Sequence, residues 1–376
     1  MGGGSPLYTS ERLGDGGASR GAPRLLPCLL KNPGYIPTLD GWRALAIVLV
    51  LLGHYAPPLG FFPRVLGGVG GIGVTVFFGI SGLLIGTLLL RERELTGRID
   101  FKGFYLRRCF RILPVAWVFL LVVAVARQLT PLPTNDRDLW SAGLFLRNYV
   151  GADTGTAQHF WSLAVEEHFY MILPLLMACF GVRSLRGVCL GVAAGTLVWR
   201  LANTAHPIWT GPADLFRTDY RIDALFDGVL AAIALRQPWS RRFLEALRPA
   251  PLYGVALAGI GISRLVSSVN VSRSLVAASI PLLLLGGVLF PATPLARVLE
   301  LRWMRFGGRI SYSLYIWQGL YTNNGLGLLG PERMWVLNVA ALLGTALMSY
   351  FLLERPLIRV GHRLSRPASR GRPELD

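Results

Sequence analysis

Ten long apolar segments constrain this sequence more than any other feature. Short stretches rich in Arg, or in Pro and Gly, separate them. The segments lie at about 40–56, 72–90, 111–129, 161–180, 187–201, 216–235, 250–266, 274–290, 309–322 and 334–353. A helix needs about 20 residues to cross the hydrocarbon core of a bilayer, so the two shortest, 187–201 and 309–322, are expected to recruit flanking residues. The pattern predicts an all-α, polytopic integral membrane helix bundle with about ten transmembrane helices.

The composition excludes an ordinary cytosolic enzyme. The chain of 376 residues is 52% hydrophobic and 16% charged, whereas about a quarter of the residues of a soluble domain are charged. The four cysteines show no paired spacing, which excludes a disulfide framework and a CxxC metal site. No HExxH or similar spacing accompanies the histidines, so no metal is expected. Nearly all cations are Arg, which indicates a GC-rich, bacterial genome.

The net charge of +17 would suit a nucleic-acid-binding protein, but the positions of the cations favour another interpretation. Seven Lys and Arg residues lie between Arg91 and Arg111, in one loop between two apolar segments. Cationic loops stay in the cytosol. Placing this loop and its alternate partners inside predicts N-in and C-in topology, an even number of spans and a multi-pass protein of the cytoplasmic (inner) membrane. The bilayer, and no nucleic acid, is the expected partner.

Three regions are predicted along the chain. Residues 1–34 are rich in Gly, Ser, Pro and Arg without periodicity and are expected to form a disordered cytosolic tail. They lack the order of regions that defines a secretory signal. Residues 35–358 form the membrane domain, and residues 359–376 form a basic cytosolic tail.

Arg43 and His54 are ionisable residues within the first apolar segment, where such residues are costly and mark candidate functional sites. They are eleven positions apart, which is within about 20° of three helical turns, so both project from one face, about 16 Å apart along the axis. Asp40, one turn before Arg43, can cap the helix or pair with it. A snorkelling Arg and a hydrogen-bonded core His remain the alternative.

Two further clusters carry charge into the membrane. Glu166 and Glu167 open the fourth segment beside His168, and one Glu can face the bundle interior while the other pairs elsewhere. A Glu there could orient a histidine on another helix or pair with an internal Arg. Arg107, Arg108 and Arg111 stand at a cytosolic helix entrance, where their forked guanidinium groups suit phosphates. Plain anchoring of the helix in the cytosol is the alternative.

The sixth segment carries Asp219, Asp223 and Asp227 at i, i+4 and i+8. Like charges so spaced should not face lipid, so they face a cavity or pair with Arg. A proton relay of this kind would suit a secondary transporter or flippase, which is the alternative function. A non-catalytic membrane anchor is a third.

Seven segments in order resemble the membrane-bound acyltransferase 3 family. They are LDGWRALAIVLVLLGHY, VFFGISGLLI, FYLRRCFRILP, WSLAVEEHFY, YRIDALFDG, GGRISYSLYIWQ and LLERP, and they run from Asp40 to Pro356. The resemblance implies ten helices that transfer an acyl group, usually acetyl from acetyl-CoA, to a hydroxyl of a glycan or another exported acceptor. The implied acceptors are a surface polysaccharide, a lipid-linked glycan, peptidoglycan or a glycosylated natural product. No metal is implied.

The resemblance also implies roles for individual residues. Arg43 and His54 match the pair on which the family's activity depends, with His54 as the base or as a transient acyl carrier. The donor acyl-CoA would be held by Arg43 together with Arg107, Arg108 and Arg111. Glu167 or Glu166 would support the site, and Ser81 and Tyr312 match site-lining positions.

The sequence departs from the family pattern at two positions. His168 stands where the family often has Gln or Trp, and Gln318 stands where it often has His. Few residues follow Pro356, so a stand-alone membrane domain without the hydrolase-like domain of some members is expected.

Overall fold

Helices make up all the regular structure that the computed structural model describes. It describes residues 35–55, 68–150, 155–206, 216–237, 246–321 and 335–365, with the single residues 240 and 243. Every regular element among them is helical, as the apolar segments predict. The predicted N-terminal tail, residues 1–34, lies outside the described residues.

Each of the ten predicted segments contains a helix. The helices are α1 (Pro37–Tyr55), α2 (Val69–Thr96), α3 (Phe101–Leu129), α4 (Asp136–Gly143), α5 (Phe160–Cys179), α6 (Val182–Ala205), α7 (Asp223–Arg236), α8 (Pro249–Leu265), α9 (Val269–Leu289), α10 (Pro294–Leu299), α11 (Arg302–Tyr321), α12 (Trp335–Ser349) and α13 (Arg355–Leu364). The segments predicted at 187–201 and 309–322 extend to helices of 24 and 20 residues, as expected from the need to span the hydrocarbon.

Among the described residues, six helices are long and apolar enough to cross a membrane, which supports a multi-pass membrane protein. They span Val69–Thr96, Phe101–Leu129, Phe160–Cys179, Val182–Ala205, Val269–Leu289 and Val336–Leu364. The last of these comprises α12, α13 and a π-helical turn between them, Tyr350–Glu354.

Contacts between helix ends define the two ends of the bundle. Arg93, near the end of α2, donates hydrogen bonds to the carbonyl oxygens of Met177 and Phe180 at the end of α5. At the opposite end, a Cβ on Gly53 of α1 would lie 2.8 Å from the Gly70 Cα of α2. We refer to these as the Arg93 end and the His54 end.

Glycines allow the central helices to approach closely. A Cβ on Gly82 of α2 would lie 1.9 Å from the Leu225 carbonyl oxygen of α7, and one on Gly308 of α11 would lie 1.9 Å from the Asp40 carbonyl oxygen of α1. Small residues at helix crossings are the usual solution in membranes, where lipid is as apolar as the side chains. α1, α2, α7 and α11 therefore form a tightly packed centre.

The predicted acidic stripe does not lie on one helix. α7 begins at Asp223, and Asp219 lies before it in a 3₁₀ turn, Thr218–Tyr220. Asp219 accepts hydrogen bonds from Trp199 Nε1 (2.7 Å) and Arg217 Nε (3.1 Å). Asp223 forms a buried ion pair with Arg200 of α6. The expectation of a single i, i+4, i+8 stripe is wrong because these partners hold Asp219 outside the helix, but pairing with Arg is confirmed for two of the three.

The C-terminal part of the described chain is helical beyond the predicted domain boundary at residue 358. α13 packs on α3, and a Cβ on Gly361 would lie 2.7 Å from the Phe110 Cβ. Residues 366–376 of the predicted basic tail lie outside the described residues.

Candidate active site

A central cavity of about 90 Å³ lies between α1, α2, α3, α5 and α11. It contains seven of the nine residues to which the family resemblance assigns a role in the site. Those lining it are Arg43, Ser81, Arg108, Arg111, Glu166, Glu167 and Tyr312. Five helices that are distant in sequence therefore bring their polar side chains to one place within an apolar bundle.

Glu166 is held in a hydrogen-bond network. Ser81 Oγ donates to Glu166 Oε1 (2.9 Å), and the Tyr170 hydroxyl lies 3.3 Å from Glu166 Oε2 and 3.2 Å from Ser81 Oγ. Glu167 also lines the cavity, and its Oε1 is buried without a hydrogen-bond partner among the described residues. Both carboxylates thus face the cavity, whereas the sequence predicted that only one of them faces the bundle interior. The cavity extends around the side of α5 that carries both residues.

Three arginines oppose the two carboxylates. Arg43 Nη1 lies 3.0 Å from Asp40 Oδ1 in an ion pair within α1. The Arg108 guanidinium carbon lies 5.4 Å from the centre of the Tyr170 ring, in a cation–π geometry. The charges of Arg43 and Arg108 both interact with that of Arg111. This concentration of cations makes the cavity a favourable place for an anionic ligand.

Arg107 lies outside the central cavity. A Cβ on Gly103 would meet Arg107 Nη1 at 2.9 Å and Asp100 Oδ2 at 2.0 Å, which places Arg107 beside the start of α3. Arg108 and Arg111 share a face by their i, i+3 spacing, as Arg107 and Arg111 do by i, i+4. Packing against neighbouring helices, which the sequence pattern does not contain, directs the first pair into the cavity.

His54 is half-buried near the end of α1 and does not line the central cavity. Its Nδ1 lies 2.8 Å from the Val50 carbonyl oxygen. A carbonyl oxygen only accepts hydrogen bonds, so Nδ1 carries the proton and, in the neutral ring, Nε2 carries the lone pair. This arrangement leaves Nε2 available as a base or nucleophile.

A group of side chains that the sequence analysis did not single out lies between the central cavity and His54. Ser162 and Tyr315 line the cavity and hydrogen-bond to each other. The Tyr315 hydroxyl also donates to the His159 carbonyl oxygen (3.1 Å), and the two rings are 5.5 Å apart. His159 is close enough to His54 for their charges to interact. Tyr315 lies three residues after Tyr312, a spacing that predicts a shared helix face. This was the sequence signal by which Tyr315 could have been found.

A second cavity, of about 230 Å³, adjoins the first on the side of the Arg93 end. The two share Arg43, Leu84 and Arg111 in their linings. Tyr35, which precedes α1, lines the second cavity and accepts a hydrogen bond from Arg305 Nε (3.0 Å). Partial burial, followed by the influence of the neighbouring Asp40 carboxylate, raises the Tyr35 pKa. Three arginines, Arg43, Arg111 and Arg309, line this cavity together with the carboxylates of Asp40 and Glu354. We refer to this arginine-rich route from the Arg93 end to the central cavity as the cationic passage.

The arrangement suits a donor that is anionic at one end and reactive at the other. Arginines line the passage, and carboxylate, hydroxyl and imidazole groups follow in the direction of the His54 end. In the part of the chain that the structure describes, no group of three or more His, Cys, Asp or Glu side chains could hold a metal ion.

Comparisons with known proteins identify relatives of the chain. A family model described as an acyltransferase domain matches residues 36–354. Peptidoglycan O-acetyltransferase OatA of Listeria monocytogenes is 26% identical over 365 residues, which cover 87% of this chain and 56% of the relative. O-acetyltransferase OatA of Staphylococcus aureus is 28% identical over 366 residues, covering 88% and 58%. The chain thus spans less than two thirds of these curated relatives. No solved structure matches it significantly.

Proposed function

The chain belongs to the acyltransferase family whose domain model spans residues 36–354, and from that membership we propose that it is a membrane O-acyltransferase. It moves an acyl group, acetyl in the first instance, from cytosolic acyl-CoA to a hydroxyl of a glycan or glycosylated acceptor. The observation that carries the proposal is the cationic passage that joins two cavities at Arg43 and Arg111 and leads toward His54.

The donor enters from the Arg93 end, which is the cytosolic end under the predicted topology. Arg43, Arg108 and Arg111 bind its phosphates, because forked guanidinium groups form paired hydrogen bonds with phosphate oxygens. Arg107 stands outside this cavity and would contact the donor at the helix entrance. The apolar side chains of Phe77 and Leu84 line the cavity beside the acyl-bearing arm.

His54 performs the chemistry in one of two ways. As a base, Nε2 takes the proton of the acceptor hydroxyl while the hydroxyl oxygen attacks the thioester carbonyl carbon. The C–S bond breaks, the imidazolium returns the proton to the CoA sulfur, and an ester and free CoA result. As a carrier, Nε2 attacks the thioester carbonyl carbon first, the C–S bond breaks and CoA leaves as the thiolate. The acceptor hydroxyl oxygen then attacks the acyl-imidazolium, the C–N bond breaks to restore the imidazole, and the hydroxyl proton passes to the CoA thiolate.

The remaining polar groups position these reactants. The bond from His54 Nδ1 to the Val50 carbonyl fixes the tautomer that both routes need. Glu166, held by Ser81 and Tyr170, forms no ion pair with Arg108 or Arg111 within 4.0 Å in the described part of the chain, so these two guanidinium groups are available to the donor. Tyr312 donates to the Ile112 carbonyl oxygen (2.7 Å) and so links α11 to α3 beside the cavity.

A glycan is the acceptor class that the relatives support, because one of them is named for peptidoglycan O-acetylation. A lipid-linked glycan or a glycosylated natural product satisfies the same chemistry. In each case the acceptor approaches from the His54 end, opposite the donor, so a protein of the inner membrane modifies a substrate outside the cytosol.

Mass spectrometry of surface glycans and small metabolites tests the proposal in cells. A strain that lacks the gene should lose one set of O-acetyl esters, and the wild-type gene should restore them. The His54→Ala gene should not restore them although the protein reaches the membrane. His206→Ala, at an exposed histidine, is the matched control and should restore them fully. Full restoration by His54→Ala would contradict the proposal.

A further inference from the structure

A third cavity, of about 440 Å³, lies at the His54 end, apart from the donor passage. Its volume falls within the roughly 300–1,000 Å³ typical of ligand pockets. It shares no lining residue with the central cavity. The two are separated by an edge-to-face contact between Phe78, which lines the central cavity, and Trp161, which lines the third (6.2 Å between ring centres).

The third cavity carries three arginines: Arg221, Arg264 and Arg273. In the described part of the chain, no carboxylate lies within 4.0 Å of any of them, because the nearby Asp223 is already paired with Arg200. Arg273 Nη1 is buried without a hydrogen-bond partner among these residues. The charges of Arg221 and Arg273 repel each other.

Asp223 attracts Arg221 and Arg273 from a distance but forms an ion pair with neither, so a bound anion in direct contact with them would offset their mutual repulsion. Arginine forks form paired hydrogen bonds with phosphate or carboxylate. Next to them, Trp161 and Phe216 present aromatic rings 4.9 Å apart, and the Arg221 guanidinium lies 5.2 Å from the Trp161 ring centre. Thr75, Ser263 and Ser272 supply hydroxyls. The cavity therefore offers an anion site beside an apolar ring face and hydroxyl groups, which together suit a charged sugar.

His54 is at the same depth as this cavity. Gly53, the residue before it, lies against Gly70, and Gly68 and Gly71 on either side line the cavity. Arg264 Nη1 lies beside Gly68, where a Cβ would approach it to 3.1 Å. Gly70 and Gly73 pack against α1, whereas Gly68, Ile72 and Thr75 line the cavity from the other face of α2. A sugar bound to the arginines would therefore reach past the first turn of α2 to bring a hydroxyl to His54.

We propose that the third cavity is the acceptor subsite and that Arg221, Arg264 and Arg273 bind a phosphate or carboxylate group carried by the acceptor glycan. The proposal rests on the proposed acyl transfer in calling the bound glycan the acceptor, but the binding of an anionic sugar does not require that reaction. The arginines of this cavity select anionic over neutral glycans as substrates.

Binding is measured on the full chain in nanodiscs of zwitterionic phosphatidylcholine by saturation-transfer NMR, with glucose 1-phosphate, glucuronate and glucose as probes. The two anionic sugars should bind and glucose should bind far more weakly. Arg221→Gln with Arg273→Gln should weaken the binding of glucose 1-phosphate about tenfold or more. Arg264→Gln, at an exposed side chain that tolerates change, should weaken it in the same direction. Arg137→Gln, an exposed Arg at the same end, should leave it unchanged.

Three outcomes would overturn the proposal. One is equal binding of glucose and glucose 1-phosphate. Another is displacement of glucose 1-phosphate when phosphatidylglycerol is added to the nanodiscs, which would assign the cavity to a lipid headgroup. The last is loss of CoA binding, with sugar binding intact, in the Arg221→Gln Arg273→Gln protein, which would assign it to the donor. His54→Ala should bind the sugars normally, so a failure of acyl transfer is distinguishable from a failure of this site.

Discussion

Arg200 and Asp223 show how a charge within the bundle can serve structure. Arg200 is 1% exposed and donates to Asp223 and to Ser274 Oγ (3.0 Å), and thereby joins α6, α7 and α9. Removing one member of a buried pair leaves the other charge uncompensated, at a cost of roughly 3–5 kcal/mol. Of the three carboxylates that could serve a proton relay, Asp223 is occupied by this buried ion pair.

Asp223→Asn should lower the thermal unfolding temperature of the detergent-solubilised protein markedly, because the buried Arg200 loses its counter-charge. Asp227→Asn is the control, since Asp227 forms no ion pair within 4.0 Å in the described part of the chain, and should have a smaller effect. A proton-coupled transporter predicts the reverse pattern: unchanged stability and loss of substrate transport in both variants. That pattern would contradict the enzymatic account.

At the level of single residues, the sequence indicated which side chains line the central cavity better than it indicated how they contact one another. Arg43, Arg108, Arg111 and Glu166 are conspicuous because charge is rare in apolar segments, and each lines the central cavity. His159 was considered only as a possible metal ligand and was set aside, because the histidines show no metal-binding spacing and one more buried histidine has no distinguishing sequence pattern. Its contact with Tyr315 depends on the packing of α5 against α11, which no local pattern encodes.

At the level of elements, close helix crossings hold the site together. α2 carries Ser81 into the cavity, and the neighbouring Gly82 lets it approach α7 to contact distance at Gly228. With lipid outside, such packing is the main force between helices. A methyl group added at Gly82 would overlap α7 unless one of the two helices moved.

Gly82→Ala should therefore destabilise the protein by about 1–3 kcal/mol through overpacking, measured as a lower thermal unfolding temperature. Gly191→Ala is the matched control on α6, because a Cβ there meets nothing within 4 Å. It should be neutral or stabilising by up to about 1 kcal/mol, as expected for Ala over Gly in a helix. Equal effects of the two substitutions would show that the crossing does not limit stability.

The apolar segments predicted where the helices lie, because a helix that spans the bilayer requires a minimum apolar length. They did not predict some of the helix boundaries. The sixth segment was expected to begin at residue 216, but α7 begins at Asp223. Trp199 and Arg217 bind Asp219 and hold the residues before α7 in a turn. Interactions with residues elsewhere in the chain determine such boundaries, and periodicity does not show them.

At the level of the whole molecule, three cavities follow one another from the Arg93 end to the His54 end. Under the predicted topology and the proposed acyl transfer, this order would place the donor on the cytosolic side and the acceptor outside. The arginine distribution predicts the orientation, but only the fold brings Arg43 and Arg111 into both of the first two cavities.

Cysteine labelling measures that orientation. In a background with all four native cysteines replaced by Ser, Ser267→Cys and Thr96→Cys place single thiols at exposed positions of opposite ends. A membrane-impermeant maleimide should label Ser267→Cys in intact spheroplasts. It should label Thr96→Cys only after permeabilisation. The opposite pattern would show that the chain is inserted the other way and would place the cationic passage outside the cytosol.

Acetyl transfer by the purified protein tests the central claim most directly. The protein, reconstituted in proteoliposomes, receives radiolabelled acetyl-CoA and the glycan identified by mass spectrometry. We expect label on the glycan, one free CoA for each ester formed, and no transfer by His54→Ala or Arg43→Ala. Undiminished transfer by His54→Ala, or unconsumed acetyl-CoA with the wild-type protein and its glycan, would contradict the account.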